Sequence, residues 1–407
     1  MMLFWALFDG IVTYLAPLVI TQGGISKTLM GIIIGSSSIA GALFDFLMCR
    51  MFKNPHYRRS FLVMFAVCLV YPLLLWKANS FIIYMIAMAV WGVYFDLKNF
   101  GCFDFVARHT PENEHSSSFG VLSVFDALGY LFAPILVSLL IGDLVDWRPF
   151  VMAWVFLIIS LFFFFALLFL VRKEKHGRLD RIPPATSCKR INVFNEVGLW
   201  ERVGKVIFPV LILTLLLNVV DAFFWTVGPL FSEGFSSPKF AGFFMTAYIL
   251  PSFFIGWFTG SVTHKFGKKK TAFISFLIGS LIFSSLVLIK GPVLLIAVVF
   301  LASCFFSLSM PAINGAYSDY IAETQPVEKE ILGLEDFFTN VGYVIGPISA
   351  GFLADHLSNA GAFTVMGIVG VITTLILMRI TPRKINVGES IKLKAGKKVV
   401  FSRKRKH

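Results

Sequence analysis

Long apolar runs separated by short polar connections are the dominant pattern of this 407-residue chain. A membrane-spanning helix needs about 17–25 predominantly apolar residues, and runs of that length recur along the whole sequence. The second run contains Asp45, and the fourth contains Asp96 and Lys98. The pattern predicts an all-α membrane protein with twelve transmembrane helices, near residues 2–20, 28–48, 60–76, 81–103, 117–141, 149–171, 206–230, 240–262, 271–289, 292–317, 333–355 and 361–380.

Two parts of the sequence repeat each other in the same order. The segment from Asp9 to Leu18 returns from Asp221 to Leu230, 212 positions later, and Gly129–Ile135 returns as Gly342–Ile348, 213 positions later. These matches predict two pseudo-symmetric halves of six helices each. Two parallel halves place a site between them, a plan that transporters use. The predicted divisions are an N-terminal half (1–171), a central loop (172–205), a C-terminal half (206–380) and a basic tail (381–407).

Composition and charge narrow the class of protein. Hydrophobic residues make up 57% of the chain and charged residues 14%, whereas a soluble domain carries roughly 25% charged residues. The basic residues behind the net charge of +13 are concentrated in the connections after even-numbered spans, the central loop and the tail. This bias predicts that both termini, the loop and the tail are cytoplasmic in a plasma or inner membrane. The exceptions are Lys27, Lys77, Arg148, Lys239, Lys290 and, within a span, Lys98.

The remaining composition indicates neither a nucleic-acid-binding protein nor an enzyme. We interpret the basic tail as a contact with anionic membrane lipids or a solvated end, rather than as a nucleic-acid site. A G-x-x-x-x-G-K-[ST] phosphate cradle and a catalytic cluster of His, Cys or carboxylates are both missing, so no cofactor is expected. The cysteines lack metal-ligand spacing, and none falls in a predicted external loop: Cys49, Cys68, Cys102, Cys188 and Cys304.

Asp9 and Asp221 are the first candidates for a functional role. Each lies about ten residues before the outer end of its span, which is roughly 15 Å deep and near the membrane midplane. Ionisable groups at that depth are costly and are functional candidates by default. Their equivalent positions in the two halves predict that both face one central cavity and handle a proton or a substrate. The alternative is a structural hydrogen bond to a neighbouring helix.

Three further charged residues lie inside predicted spans. Asp126 lies near the midplane of the fifth span, and its counterpart in the second half is Thr339, which cannot titrate. This asymmetry indicates either a coupling site in one half or a helix-packing hydrogen bond. Asp96 and Lys98 are two residues apart on a helix, so they point to different faces and should not pair. We expect Lys98 to meet Asp126 or Asp45 and to form a charge pair that gates the cycle. The alternative is that Lys98 extends to the inner surface.

Small residues and prolines mark two equivalent helices. Gly342, Gly346 and Pro347 give the eleventh span a thin face, and Gly129 and Pro134 occupy the matching places in the fifth span. Small residues let helices approach closely, and Pro removes a backbone hydrogen bond. These residues therefore indicate either close packing or a hinge or seal between the halves.

Two loop motifs make the chain resemble the major facilitator superfamily of transporters over its full length. The stretch Gly41–Asp45 is similar to the family signature between the second and third spans. The stretch from Gly260 through Gly267 and Lys268 to Lys270 is closer to it, with His264 in place of the usual Asp. The resemblance implies two six-helix halves, cytoplasmic ends and loops that act in conformational switching. Gly129–Pro134 also resembles the fifth-span motif associated with antiporters, which points to export.

The sequence therefore predicts a secondary transporter that moves a small-molecule substrate by rocking one half against the other. Protons are the expected coupling ion, because buried carboxylates are present. The competing interpretation is a twelve-span protein that does not transport, such as a lipid-binding or signalling protein. Uptake or efflux measured in vesicles with and without a pH gradient separates these classes.

Topology is the first testable prediction. Cysteines introduced at Asn79 or Ser236 should react with a membrane-impermeant maleimide added outside intact cells, because both positions lie in predicted external connections. A cysteine at Ser187, in the central loop, should stay unlabelled until the cells are opened. Labelling of Ser187→Cys from outside would overturn the predicted orientation.

Overall fold

The fold was analysed in a computed structural model that describes residues 1–51, 56–111, 114–142, 144–174, 193–235, 237–323 and 328–381. Helices long and apolar enough to cross a membrane form at all twelve predicted places, and the described residues contain no strand. Ser187, Ser236 and the tail from residue 382 lie outside the described residues. The helices are α1 (Met2–Gln22), α2 (Lys27–Met51), α3 (Tyr57–Lys77), α4 (Phe81–His109), α5 (His115–Ser138), α6 (Arg148–Glu174), α7 (Val193–Ser232), α8 (Pro238–Phe266), α9 (Lys268–Ser284), α10 (Pro292–Glu323), α11 (Glu328–His356) and α12 (Asn359–Ile380).

The helix α7 is longer than the apolar pattern predicts. It begins at Val193, inside the segment that the sequence assigned to the central loop, and it spans 40 residues. Its first part packs against α11, where a Cβ atom added at Gly333 would lie 2.8 Å from the Trp200 ring. The Trp200 and Phe337 rings are 6.5 Å apart. This contact with a neighbouring helix extends α7 beyond its apolar run.

The helices divide into two groups that correspond to the predicted halves. In the first group, α1 packs on α5 and α6, and α4 packs on α2 and α3. In the second, α7 packs on α11 and α12, and α10 packs on α8 and α9. The main contacts between the groups join α2 to α11 and α5 to α8. Because α2 corresponds to α8 and α5 to α11, the two contacts are related by the same internal symmetry.

The contact between α2 and α11 depends on the absence of side chains. A Cβ atom added at Gly31 would collide with the backbone carbonyl of Pro347, and one at Gly35 would lie 2.9 Å from the carbonyl oxygen of Val344. Further along, Gly351 lies directly against the carbonyl of Lys27. Small residues therefore let two backbones touch across the boundary between the halves.

The contact between α5 and α8 is built in the same way. A Cβ atom added at Gly242 would lie 2.8 Å from Cα of Ile135 and 3.1 Å from the carbonyl oxygen of Pro134. One turn further along α8, the Thr246 hydroxyl donates a hydrogen bond of 2.9 Å to the carbonyl of Leu131. Pro134 and Pro347 thus lie at equivalent places in the two contacts between the halves.

A carboxylate from one half also caps a helix of the other. Asp355, near the end of α11, accepts hydrogen bonds from the backbone N–H groups of Lys27 and Thr28 at 3.1 and 2.7 Å. The Thr28 hydroxyl donates to the same carboxylate at 2.6 Å. The first N–H groups of a helix have no partner within the helix, so Asp355 acts as the N-terminal cap of α2.

These contacts all lie at one end of the molecule, where α2 and α8 begin and where α5 and α11 finish. We call this the closed end; it is opposite the end at which α1 begins and α12 finishes. The Tyr14 and Ser232 hydroxyls add a buried hydrogen bond of 3.2 Å between the halves. Away from the closed end, the two halves separate around a central cavity.

The other glycines that the sequence singled out have different surroundings. Gly129 packs against α1, and Cβ atoms added at Gly342 and Gly346 would lie 2.8 Å from Asn218 Cβ and 2.7 Å from Ala222 Cβ, both on α7. All three contacts are within one half. They therefore favour the packing interpretation for these glycines, while Pro134 and Pro347 lie at the boundary between the halves.

The second loop motif also has a clear structural basis. Gly267 separates α8 from α9 with a φ of +85°, a conformation that favours glycine. The ammonium group of Lys268 lies 2.6 Å from the Asp319 carboxylate on α10. Nothing lies within 4 Å of a Cβ atom added at Gly260. The motif thus ties the α8–α9 turn to α10 within the C-terminal half.

Gly31→Leu should force α2 away from α11 and shift the protein toward a state in which the closed end is open. In a background without native cysteines, Ser232→Cys serves as the reporter, because Ser232 is buried at the closed end. We expect Gly31→Leu to raise its labelling rate by a maleimide several-fold. The matched control is Gly256→Leu, since Gly256 has open space around it. Equal labelling rates in the two variants would contradict the role assigned to this contact.

Candidate functional site

The central cavity has a volume of about 1020 Å³ and receives side chains from both halves. Ligand sites commonly measure about 300–1000 Å³, so this space is large enough for a small solute. Carboxylates are its most notable polar groups. Five of them line the wall: Asp9, Asp45, Asp96, Asp221 and Asp336.

Asp9 lies in the middle of α1, and its side chain is fully buried. Its carboxylate accepts hydrogen bonds from Trp91 Nε1 at 3.1 Å, from the Tyr94 hydroxyl at 2.6 Å and from the Tyr130 hydroxyl at 2.5 Å. Trp91 and Tyr94 are three residues apart on α4, so both reach the same side of that helix. Asp9 therefore joins α1 to α4 and α5.

Asp221 has the corresponding place in the second half. The Tyr248 hydroxyl of α8 donates to its carboxylate at 3.1 Å, and the Tyr343 hydroxyl of α11 donates at 2.8 Å. Tyr343 is the repeat partner of Tyr130, so the Asp–Tyr pair occurs once in each half. Both carboxylates face the cavity, as the sequence predicts.

Lys98 forms an ion pair with Asp126, one of the two partners that the sequence predicts. The distance between Lys98 Nζ and Asp126 Oδ2 is 2.8 Å, and the side chains are only 11% and 19% exposed. The ammonium group also lies 4.9 Å from the centre of the Trp5 ring. The second oxygen of Asp126 is buried, with no hydrogen-bond partner among the described residues.

The same place in the C-terminal half holds no ion pair among the described residues. Thr339, the counterpart of Asp126, receives a hydrogen bond of 3.2 Å from the Asn218 side chain. Thr214, one turn from Asn218, bonds with the Tyr317 hydroxyl at 2.8 Å. The Thr339 hydroxyl lies 3.5 Å from the Glu335 carboxylate, to which it donates. One half therefore holds a Lys–Asp ion pair where the other holds hydrogen bonds without a basic partner.

Three carboxylates lie on the side of the cavity away from the closed end. Asp96 of α4 packs on α2, where a Cβ atom added at Gly41 would lie 2.6 Å from its carboxylate. Asp96 interacts electrostatically with Asp45 of α2 and with Asp336 of α11. It makes no ion pair with Lys98, in agreement with the sequence prediction. We call Asp45, Asp96 and Asp336 the acidic entrance.

Several residues of this site were not predicted from the sequence. The hydrogen-bond donors Trp91, Tyr94 and Tyr248 carry no sequence signal, because aromatic residues are frequent throughout the chain. Tyr130 and Tyr343 do have one, since they repeat at nearly the same offset as the two aspartates. Asp336 falls inside the predicted eleventh span, so the rule applied to Asp96 also finds it.

Two matches to the family model of the Major Facilitator Superfamily extend over residues 1–327 and 210–405. This chain belongs to that family. As a member of this superfamily, the protein is a multi-pass membrane protein with the fold of a secondary transporter, not of an enzyme. The overlap of the two matches agrees with a chain built from two similar halves. A search of curated proteins found no match.

Several solved structures of transporters share the fold of this protein. It is similar to the nucleoside transporter NupG, with a TM-score of 0.69 and 14% identity over 94% of this chain and 97% of NupG. A bacterial homolog of the human lysosomal transporter Spinster, inward-facing and unoccupied, gives a TM-score of 0.65 and 14% identity over 96% and 95%. The peptide transporter POT in complex with sulfate gives 0.68 and 13% over 96% and 94%.

The buried ion pair should show strong energetic coupling. Lys98→Met or Asp126→Asn alone leaves a charge without its partner, so each single variant should lose thermal stability. The double variant should lose less stability than the sum of the two single losses. We expect a coupling free energy of about 0.5–3 kcal/mol from a double-mutant cycle measured by thermal unfolding.

The control for this cycle is a second Lys–Asp pair in the same protein. Lys268 and Asp319 are as close together, but their side chains are 39% and 56% exposed. The cycle Lys268→Met with Asp319→Asn should therefore give a coupling of about 0.2–1 kcal/mol. Equal coupling in the two pairs would contradict a special role for burial of Lys98 and Asp126.

Proposed function

We propose that this protein is a proton-coupled secondary transporter that moves a small solute by alternating access. The observation that carries the proposal is the position of Asp9 and Asp221, at symmetric places on one cavity between two halves. Transporters built from repeats bind substrate and coupling ions at such an interface, near the midplane.

Alternating access requires that the halves separate at one end while they close at the other. The contacts between α2 and α11 and between α5 and α8 suit this motion, because small residues meet there and let the two halves touch along helix backbones. The packing of α7 on α11 and of α1 on α5 lies within the halves and would be kept. Each half would thus move as a unit.

The closed end faces outward in our proposal, and the cavity opens to the cytoplasm. The support is the concentration of basic residues on the side of the termini, which is the pattern of cytoplasmic segments. In this conformation, substrate would then enter the cavity from the cytoplasm. We propose export in exchange for protons, in line with the antiporter-like Gly129–Pro134 segment.

The charged residues of the N-terminal half supply a route for coupling. Lys98 attracts both Asp126, at 2.8 Å, and Asp9, which lies close enough to interact with it electrostatically. A proton on either carboxylate would leave Lys98 to the other. Proton binding would therefore change the contacts among α1, α4 and α5, the helices that hold one wall of the cavity.

Asp9→Asn and Asp221→Asn test this function, because Asn keeps the size of the side chain but cannot titrate. The reconstituted protein is exposed to a solute library on a solid-supported membrane, and currents are recorded with and without a pH gradient. We expect a solute-dependent current in the wild type and the loss of pH-driven accumulation in at least one Asn variant. Binding of the same solute, measured by thermal shift, should be retained.

Asp104→Asn is the matched control. Asp104 lies outside the cavity lining and accepts hydrogen bonds from Tyr57 and Arg108 within the N-terminal half. It should keep pH-driven transport. If both single variants and the double variant match the wild type, Asp9 and Asp221 are structural and Asp126 becomes the first candidate. If no solute gives a current or changes the pH inside the vesicles, the protein is a non-transporting member of its family.

A further inference from the structure

The wall of the central cavity has one sign of charge. Among the described residues that line it, five are aspartates and none is Lys, Arg or His. Lys98 is not part of the cavity lining, and its ammonium group is engaged with Asp126. A solute in the cavity therefore meets a negative electrostatic field, and no basic side chain among the described lining residues offsets it.

The carboxylates differ in how well they are satisfied. Asp9 receives three hydrogen bonds and Asp221 receives two. In the part of the chain that the structure describes, no hydrogen bond or ion pair reaches the carboxylates of Asp45, Asp96 or Asp336. One oxygen of Asp45 is buried without a partner. The acidic entrance thus has unused capacity to bind a positive group.

Aromatic rings from both halves surround the same space. Trp91 and Phe95 of α4 are stacked with ring centres 5.5 Å apart, and both line the cavity. From the second half, Trp225 lies 6.1 Å from the Tyr130 ring. The faces of such rings attract organic cations, with Trp the strongest. Carboxylates supply the charge and aromatic rings the apolar contact that a bulky cation needs.

The proposed cycle adds a further requirement. Asp45 and Asp96 belong to the N-terminal half and Asp336 to the C-terminal half, so closing the entrance brings like charges from opposite halves together. Like charges that lose solvent repel strongly. A bound cation would offset that repulsion, whereas an anion would add to it and an uncharged sugar would leave it unchanged.

We propose that the substrate is an organic cation with an aromatic or otherwise hydrophobic body. It would be held between the acidic entrance and the rings of Trp91, Phe95, Tyr130 and Trp225. This inference rests on the proposed transport function, because it names the solute of that same cavity. It goes beyond that function by excluding anionic and neutral polar solutes as the main substrates.

The test compares two probes of the same shape and opposite charge, tetraphenylphosphonium and tetraphenylborate. Their binding to the purified full-length protein is followed by tryptophan fluorescence. Tetraphenylphosphonium should bind with a dissociation constant at least about tenfold lower, a difference of about 1.4 kcal/mol. Asp96→Asn and Asp336→Asn should each weaken its binding several-fold, and Asp104→Asn should bind it like the wild type. Size-exclusion profiles confirm that the variants are folded.

The outcomes separate this inference from the proposed function. Equal or tighter binding of tetraphenylborate, or unchanged binding in both Asn variants, would overturn the cation inference. A current driven by an anionic or neutral solute on the solid-supported membrane would also overturn it, while leaving the protein a transporter. Charge-selective binding without any solute-driven current or change of internal pH would support the cation site and overturn transport.

Discussion

A carboxylate that is buried inside a membrane protein must find hydrogen-bond donors, because the surrounding hydrocarbon provides none. In this protein that constraint ties helices together. Asp9 draws α4 and α5 onto α1, and Asp221 draws α8 and α11 onto α7. The helices that these two residues join bound the central cavity together with α2 and α10. The same bonds that satisfy a costly charge thus shape the wall around the site.

The two halves satisfy this constraint differently. The N-terminal half adds an ion pair between Lys98 and Asp126, whereas the C-terminal half has Asn218 and Thr339 at the corresponding place. The internal repeat keeps one buried aspartate in each half but a lysine in only the N-terminal half. The two halves therefore differ in the charges that they carry. In our proposal the N-terminal half responds to protons, and the C-terminal half follows through the shared boundary.

Much of the fold follows from the sequence, because the length of apolar runs is set by membrane thickness. The depth of Asp9 and Asp221 follows from the same count. Helix rotation does not, since helices that are apolar on all sides give little periodic signal. For that reason the sequence does not show that Tyr94 and Tyr248 point to the aspartates. It also leaves open whether Gly346 meets α7 or the opposite half, which depends on the neighbouring helix.

The cap that Asp355 places on α2 has a consequence for how the closed end would open. The first backbone N–H groups of α2 donate to the carboxylate of Asp355, which belongs to the other half of the molecule. A lost N-terminal cap costs about 0.5–2 kcal/mol, which is enough to fray the end of a helix. Separation of the halves would therefore leave the start of α2 partly unwound until water or solute replaces the carboxylate. On this view the closed end includes a helix terminus that would fray when the halves separate and reform when they close again.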